Sequence, residues 1–89
     1  MQHPTIQSLR QDIDDINQEI IELIAKRVEV AKSIGDKKAN QNQPIHQPDR
    51  EKQVLRSCRK KAKEFGLDPD TINNVFKAVI RMCRKKQKN

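Results

Sequence analysis

The apolar residues Ile6, Leu9, Ile13, Ile16, Ile20 and Leu23 recur at intervals of three and four, and the register continues through Arg27, Val30 and Ile34. A helix turns about 100° per residue, so this spacing gathers them on one stripe. It predicts a single amphipathic helix over about residues 5–39. Pro4 opens it at a first-turn position, where its missing N–H is not needed. Gly35 weakens it by about 1 kcal/mol relative to alanine without ending it. Such a helix is out of proportion to an 89-residue chain, because two shorter helices folded back on it cannot cover the whole stripe. The stripe calls for a partner helix, as in coiled coils, and a second copy of the chain is the default source.

Beyond it, the polar stretch NQNQPIHQPD with Pro44 and Pro48 predicts a loop over about 40–47. A second helix over about 48–65 turns Val54, Leu55, Cys58, Ala62 and Phe65 inward, with Gly66 as its C-terminal cap. In GLDPDTI, Asp68 is placed as an N-cap and Pro69 as the first residue of a third helix over about 69–87. That helix carries Ile72, Val75, Phe76, Val79, Ile80 and Cys83 on one side. There is no strand-like alternation of useful length, no internal repeat and no glycine-rich phosphate loop. The expected class is all-α, one domain over 1–89, with one long and two shorter helices.

Charged residues make up 35% of the chain and the only aromatics are Phe65 and Phe76, a meagre supply for a closed core, which again favours sharing apolar surface with a second copy. The net charge of +7 is uneven: residues 1–49 hold six Lys/Arg against eight Asp/Glu, and residues 50–89 hold thirteen against four. A basic half points to an anionic partner, either a polyanion or a small polycarboxylate. No signal-peptide pattern and no run of membrane-spanning length is present, so the expectation is a cytoplasmic protein without a membrane partner. Cys58 and Cys83 lack metal-ligand spacing and read as reduced, buried thiols; nothing supports a disulfide. His3 and His46 read as solvent-facing loop residues.

Several polar side chains break the apolar faces. Arg27 falls within the stripe of helix 1, and Lys38 joins it seven residues after Ala31. On helix 2, Glu51 projects among Val54, Cys58 and Ala62, with Arg50 at the edge. On helix 3, Gln87 extends the line of Phe76, Ile80 and Cys83. Taken singly, each has a structural explanation: a cation whose head reaches water, or an ion pair such as Arg27 with Glu51. Taken together, they form a polar pocket with excess positive charge, to which an anionic ligand is the natural counterpart. Arg10 lies seventeen residues before Arg27, about 25 Å at 1.5 Å per helical residue. One copy cannot bring both to a small molecule, whereas an antiparallel second copy could supply its own Arg10. Within one chain, Arg10 reads as a solvated arginine paired with Asp14 one turn away.

The stretches LRQDIDDINQEIIELIAKRVEVAKSIGDKK, PIHQPDREKQVL and GLDPDTINNVFKAVI, spanning roughly residues 6 to 87, resemble the all-helical (type II, AroQ class) chorismate mutases in the order and spacing of non-adjacent polar positions. The resemblance implies an intertwined helical homodimer with two active sites, each completed by the partner's long helix. It implies substrate-binding roles for Arg27 and the second copy's Arg10 at the two substrate carboxylates, with Arg50 supporting. It implies catalytic roles for Lys38 and Gln87 at the ether oxygen and for Glu51 as acceptor of the ring hydroxyl. Gln47 stands where relatives often have an acidic residue and Cys83 where some have serine; both are expected to contact substrate, Gln47 largely through its main chain. No cofactor or metal is implied, since a unimolecular [3,3] shift of chorismate to prephenate, a step toward phenylalanine and tyrosine, needs none.

Three alternatives remain, the first a regulatory or binding module descended from such an enzyme, against which the retained polar set argues. An isochorismate pyruvate-lyase shares the implied fold but lacks the acidic residue at the Glu51 position. A nucleic-acid-binding helical dimer is raised by SCRKKAK and RMCRKKQK, but no aromatic is interleaved for base stacking, so no nucleic-acid partner is expected.

Overall fold

The computed structural model describes residues 3–44 and 46–87; positions 1, 2, 45, 88 and 89 of the expected domain range lie outside the described residues. Three helices account for most of these: α1 (Ile6–Asn40), α2 (Pro48–Glu64) and α3 (Pro69–Gln87). No strand occurs among the described residues.

Local chemistry sets each boundary. Helix α1 begins after Thr5, whose hydroxyl accepts from the Ser8 N–H at 3.0 Å while the Ser8 hydroxyl accepts from the Thr5 N–H at 3.0 Å. This reciprocal cap satisfies two otherwise orphaned donors, and it leaves Pro4 outside the helix and not in its first turn. Pro48 is the first residue of α2, with Asp49 and Glu51 at the positive end of the helix dipole. Gly66 closes α2 with φ 69°, a left-handed conformation that suits a residue without Cβ. The Leu67 N–H donates to the Ala62 carbonyl at 2.8 Å and the Gly66 N–H to the Lys63 carbonyl at 3.1 Å, the paired bonds of a Schellman motif. At the start of α3 the Asp68 carboxylate accepts from the Thr71 N–H at 3.0 Å and from the Thr71 hydroxyl at 2.5 Å. These bonds hold the Asp68 carboxyl below its usual range.

Helix α3 is the middle layer, packing against both α1 and α2. Its contact with α1 falls on the C-terminal half of that helix, where Ala31, Val79 and Cys83 form a small core flanked by Ile24 and Val28. Gly35 is what brings the helix ends together. A Cβ built there would lie 3.0 Å from Gln87 Cβ and 3.1 Å from Gln87 Cα, so only glycine admits α3 this closely.

The N-terminal half of α1 stands apart. The molecule measures 60 × 25 × 17 Å. Its radius of gyration is 16.9 Å, against about 12 Å for a compact chain of this size. Ile6, Leu9, Ile13, Ile16, Ile20 and Leu23 are each at least 48% exposed, so the chain by itself leaves this stripe uncovered.

Three expectations about individual side chains need correction. Phe65 is 71% exposed, not inward. It is the C-cap residue, one position past the last packed turn, and Lys61 Nζ lies 5.7 Å above its ring. Cys58 is half-buried where full burial was expected; both cysteines are free thiols. Val75 lies 49% exposed on α3 instead of in the core, because α1 and α2 cover only part of that helix's surface.

Candidate active site

A cavity of about 430 Å³ lies between the C-terminal half of α1, the start of α2 and the end of α3. That volume is in the range of small-molecule sites. Val30, Ala31, Ile34, Val54 and Ile80 supply its apolar wall. Its polar wall contains seven of the eight residues singled out in the sequence: Arg27, Lys38, Gln47, Arg50, Glu51, Cys83 and Gln87. The eighth, Arg10, lies on the exposed half of α1, outside the cavity, and no ion pair joins it to Asp14 among the described residues.

The packing of three helices explains the convergence. Arg27 and Lys38 sit eleven residues apart on α1, three turns along one face, with Ala31 and Ile34 between them. Gln87 reaches the Lys38 end because Gly35 lets the last turn of α3 approach α1. Glu51 comes from the first turn of α2, directly after the loop that carries Gln47. Each polar group is therefore held by regular helix or its cap, the kind of support that keeps a site preorganised.

The internal pairing differs from the simplest sequence expectation. Arg27 does not pair with Glu51; its Nη1 donates to Cys83 Sγ at 2.9 Å. Glu51 pairs instead with Arg84, whose Nη1 donates to Oε2 at 2.9 Å and Oε1 at 3.2 Å. His46 is an exposed loop residue, as expected, with Nε2 3.7 Å from Glu51 Oε2. Arg50 Nη1 donates to Gln53 Oε1 at 2.8 Å.

Arg84 is the site residue that sequence reasoning missed. Its signal was present: it follows Ile80 by four residues and precedes Gln87 by three, on the same helical stripe. It was hidden inside RMCRKKQK, where a basic run reads as a solvated face. With Arg84 included, four cations (Arg27, Lys38, Arg50, Arg84) face one carboxylate, Glu51. A partly desolvated set with that imbalance favours an anionic ligand with more than one negative group.

Residues 9–88 match the family described as chorismate mutase type II. The chain belongs to the type II chorismate mutase family. Its relatives include the chorismate mutase of Methanocaldococcus jannaschii, 34% identical over 80 residues that cover 90% of this chain and 81% of that protein. They also include the T-protein of Enterobacter agglomerans, 38% identical over 74 residues, which cover 83% of this chain and 20% of that protein. The chain thus spans about a fifth of the length of the T-proteins it matches. A solved structure of a conserved hypothetical protein from Pyrococcus furiosus superposes with a TM-score of 0.74 at 34% identity, covering 97% of this chain and 99% of that one. The three-helix, all-α architecture is accordingly that of the type II chorismate mutase family. No described helix is long and apolar enough to cross a membrane.

Proposed function

We propose that this chain is a chorismate mutase, an isomerase that rearranges chorismate to prephenate in aromatic amino acid biosynthesis, working as a homodimer with shared active sites. The observation that carries the reading is the meeting of Arg27, Lys38, Glu51 and Gln87, from three different helices, in one cavity of ligand size.

The reaction needs no nucleophile, so these groups act by positioning and charge. The Arg27 guanidinium is a planar fork suited to one substrate carboxylate. The second copy's Arg10 takes the other, and together they select the compact conformer in which the reacting carbons meet. Lys38 and Gln87 donate to the ether oxygen, where negative charge grows as its bond to carbon breaks. Glu51 accepts from the ring hydroxyl. An acceleration of about 10⁶-fold corresponds to about 8 kcal/mol of differential stabilisation, which a few preorganised charged hydrogen bonds in a desolvated site can supply. Glu51 in the cavity wall favours this reaction over pyruvate release from isochorismate.

The dimer is supported by the uncovered stripe on α1, which also carries Arg10 past the end of its own cavity. An antiparallel partner helix would bury that stripe and carry its Arg10 toward this chain's Arg27.

The test is complementation between inactive homodimers. Arg10→Ala and Arg27→Ala are each expected to fold and to lose nearly all conversion of chorismate to prephenate. After subunit exchange, each heterodimer holds one site with both arginines, so random mixing restores about a quarter of the wild-type activity. No recovery despite verified exchange refutes the shared site.

A further inference from the structure

We propose that Arg84 is a positioning residue for Glu51: it orients the carboxylate toward the cavity and keeps it from capturing the cations that must bind substrate. The proposal rests on the reading of Glu51 as acceptor for the substrate's ring hydroxyl, and it assigns a role at a position to which the family resemblance gives none.

The geometry carries it. One nitrogen, Arg84 Nη1, reaches both Glu51 oxygens, at 2.9 and 3.2 Å, so the carboxylate is turned edge-on toward α3. A carboxylate offers about four lone-pair directions. Arg84 takes the two between the oxygens, and His46 approaches Oε2 from the loop at 3.7 Å. An outward lone pair is left for a ligand hydroxyl. Arg84 and Glu51 both face the cavity, and their side chains are 29% and 27% exposed. This is not an outer-surface ion pair of the kind that contributes little. It ties the first turn of α2 to the last turns of α3, between two walls of the same cavity.

The other cations show what the pairing accomplishes. Arg27 engages the sulfur of Cys83, and Arg50 the amide of Gln53, so neither is committed to a carboxylate. Without Arg84, Glu51 would be a partly desolvated carboxylate beside those guanidiniums, and an unpaired charge in that setting seeks the nearest opposite one. Collapse onto Arg27 or Arg50 would place the protein's own carboxylate where a substrate carboxylate should bind. Arg84 thus leaves Glu51 satisfied, and Arg27 and Arg50 available to an incoming dianion.

A double-mutant cycle tests this through a signal that a purely structural ion pair would not produce. Steady-state kinetics with chorismate and thermal unfolding are measured for Arg84→Gln, Arg84→Lys, Glu51→Gln and Arg84→Gln/Glu51→Gln. Arg84→Gln is expected to lower kcat/KM about tenfold, with a raised KM as part of the loss and the unfolding midpoint little moved. Arg84→Lys is expected to recover part of that loss. In the Glu51→Gln background, where no carboxylate remains to be positioned or to compete, Arg84→Gln is expected to cost less than twofold further. An equal loss in both backgrounds overturns the proposal, because Arg84 would then act independently of Glu51. A disabled Glu51→Gln beside a fully active Arg84→Gln overturns it while leaving the reading of Glu51 intact. A fully active Glu51→Gln removes the role of Glu51 itself, and the proposal with it. If Arg84→Gln fails to fold, Arg84→Met, which keeps the apolar stem, enters the same cycle with the same criteria.

Discussion

Replacing Gly35 by alanine sets two effects of known sign against each other. In an isolated helix the change is favourable by about 1 kcal/mol, because glycine loses more backbone entropy on ordering. Here the new methyl would meet Gln87 Cβ at 3.0 Å and Gln87 Cα at 3.1 Å. Comfortable carbon contacts lie at about 3.5–4.0 Å, so the last turn of α3 must retreat by roughly 0.5 Å. The atoms in the way include backbone, and a side-chain rotation cannot relieve them. Overpacking of this kind costs about 1–3 kcal/mol, which cancels or exceeds the helix gain. On the proposed role of Gln87 as donor to the ether oxygen, the larger consequence is functional, since the moving turn carries its amide away from that position. A misplacement of about 1 Å can cost a hundredfold, so roughly half of that is expected to cost about tenfold in kcat. Steady-state kinetics with thermal unfolding on the same preparation read both effects. Gly35→Ala should be no more stable than wild type and clearly slower. A variant that is stabilised by about 1 kcal/mol and fully active would refute the close approach of α3 to α1 as the means of placing Gln87.

Two further outcomes separate local structure from the site. Gly66→Ala places a Cβ in open space but at φ 69°, so it should lower stability by about 1–2 kcal/mol in denaturant titration with kcat unchanged. Asp68 has a folded-state carboxyl below its ordinary value near 3.8. Its contribution to stability is therefore present above that value and lost as pH falls through the depressed one. Asp68→Ser keeps a cap for Thr71 but removes the titration, so unfolding midpoints below pH about 4 should fall less steeply with acid than in wild type; unchanged acid sensitivity would show that the loss arises elsewhere.

How much of the site was legible in the sequence depended on what each residue's position required. Arg27, Lys38, Glu51 and Gln87 could be singled out because each interrupts an apolar stripe, and a stripe is defined by spacing along one helix. Arg84 escaped because it sits beside lysines in a basic run; its place on the stripe of Ile80 and Gln87 was legible, but the carboxylate it meets lies on another helix. Phe65 was misread for a related reason: periodicity continues to the end of a helix, but packing need not.

By itself, then, the chain's sequence determined three helices, the caps at Gly66 and Asp68 and a continuous apolar stripe on the longest helix. All of these follow from interactions within about four residues, where spacing and side-chain chemistry suffice. Only the tertiary structure decided that Arg84, not Arg27, holds Glu51, and that Gly35 serves the approach of Gln87. Both depend on which helices become neighbours and at what height along one another. The register of α1 on α3 follows the packing of the small core of Ala31, Val79 and Cys83. That of α2 on α3 follows the contact between those two helices, where α2 buries Ala62. No periodicity within a single helix contains either.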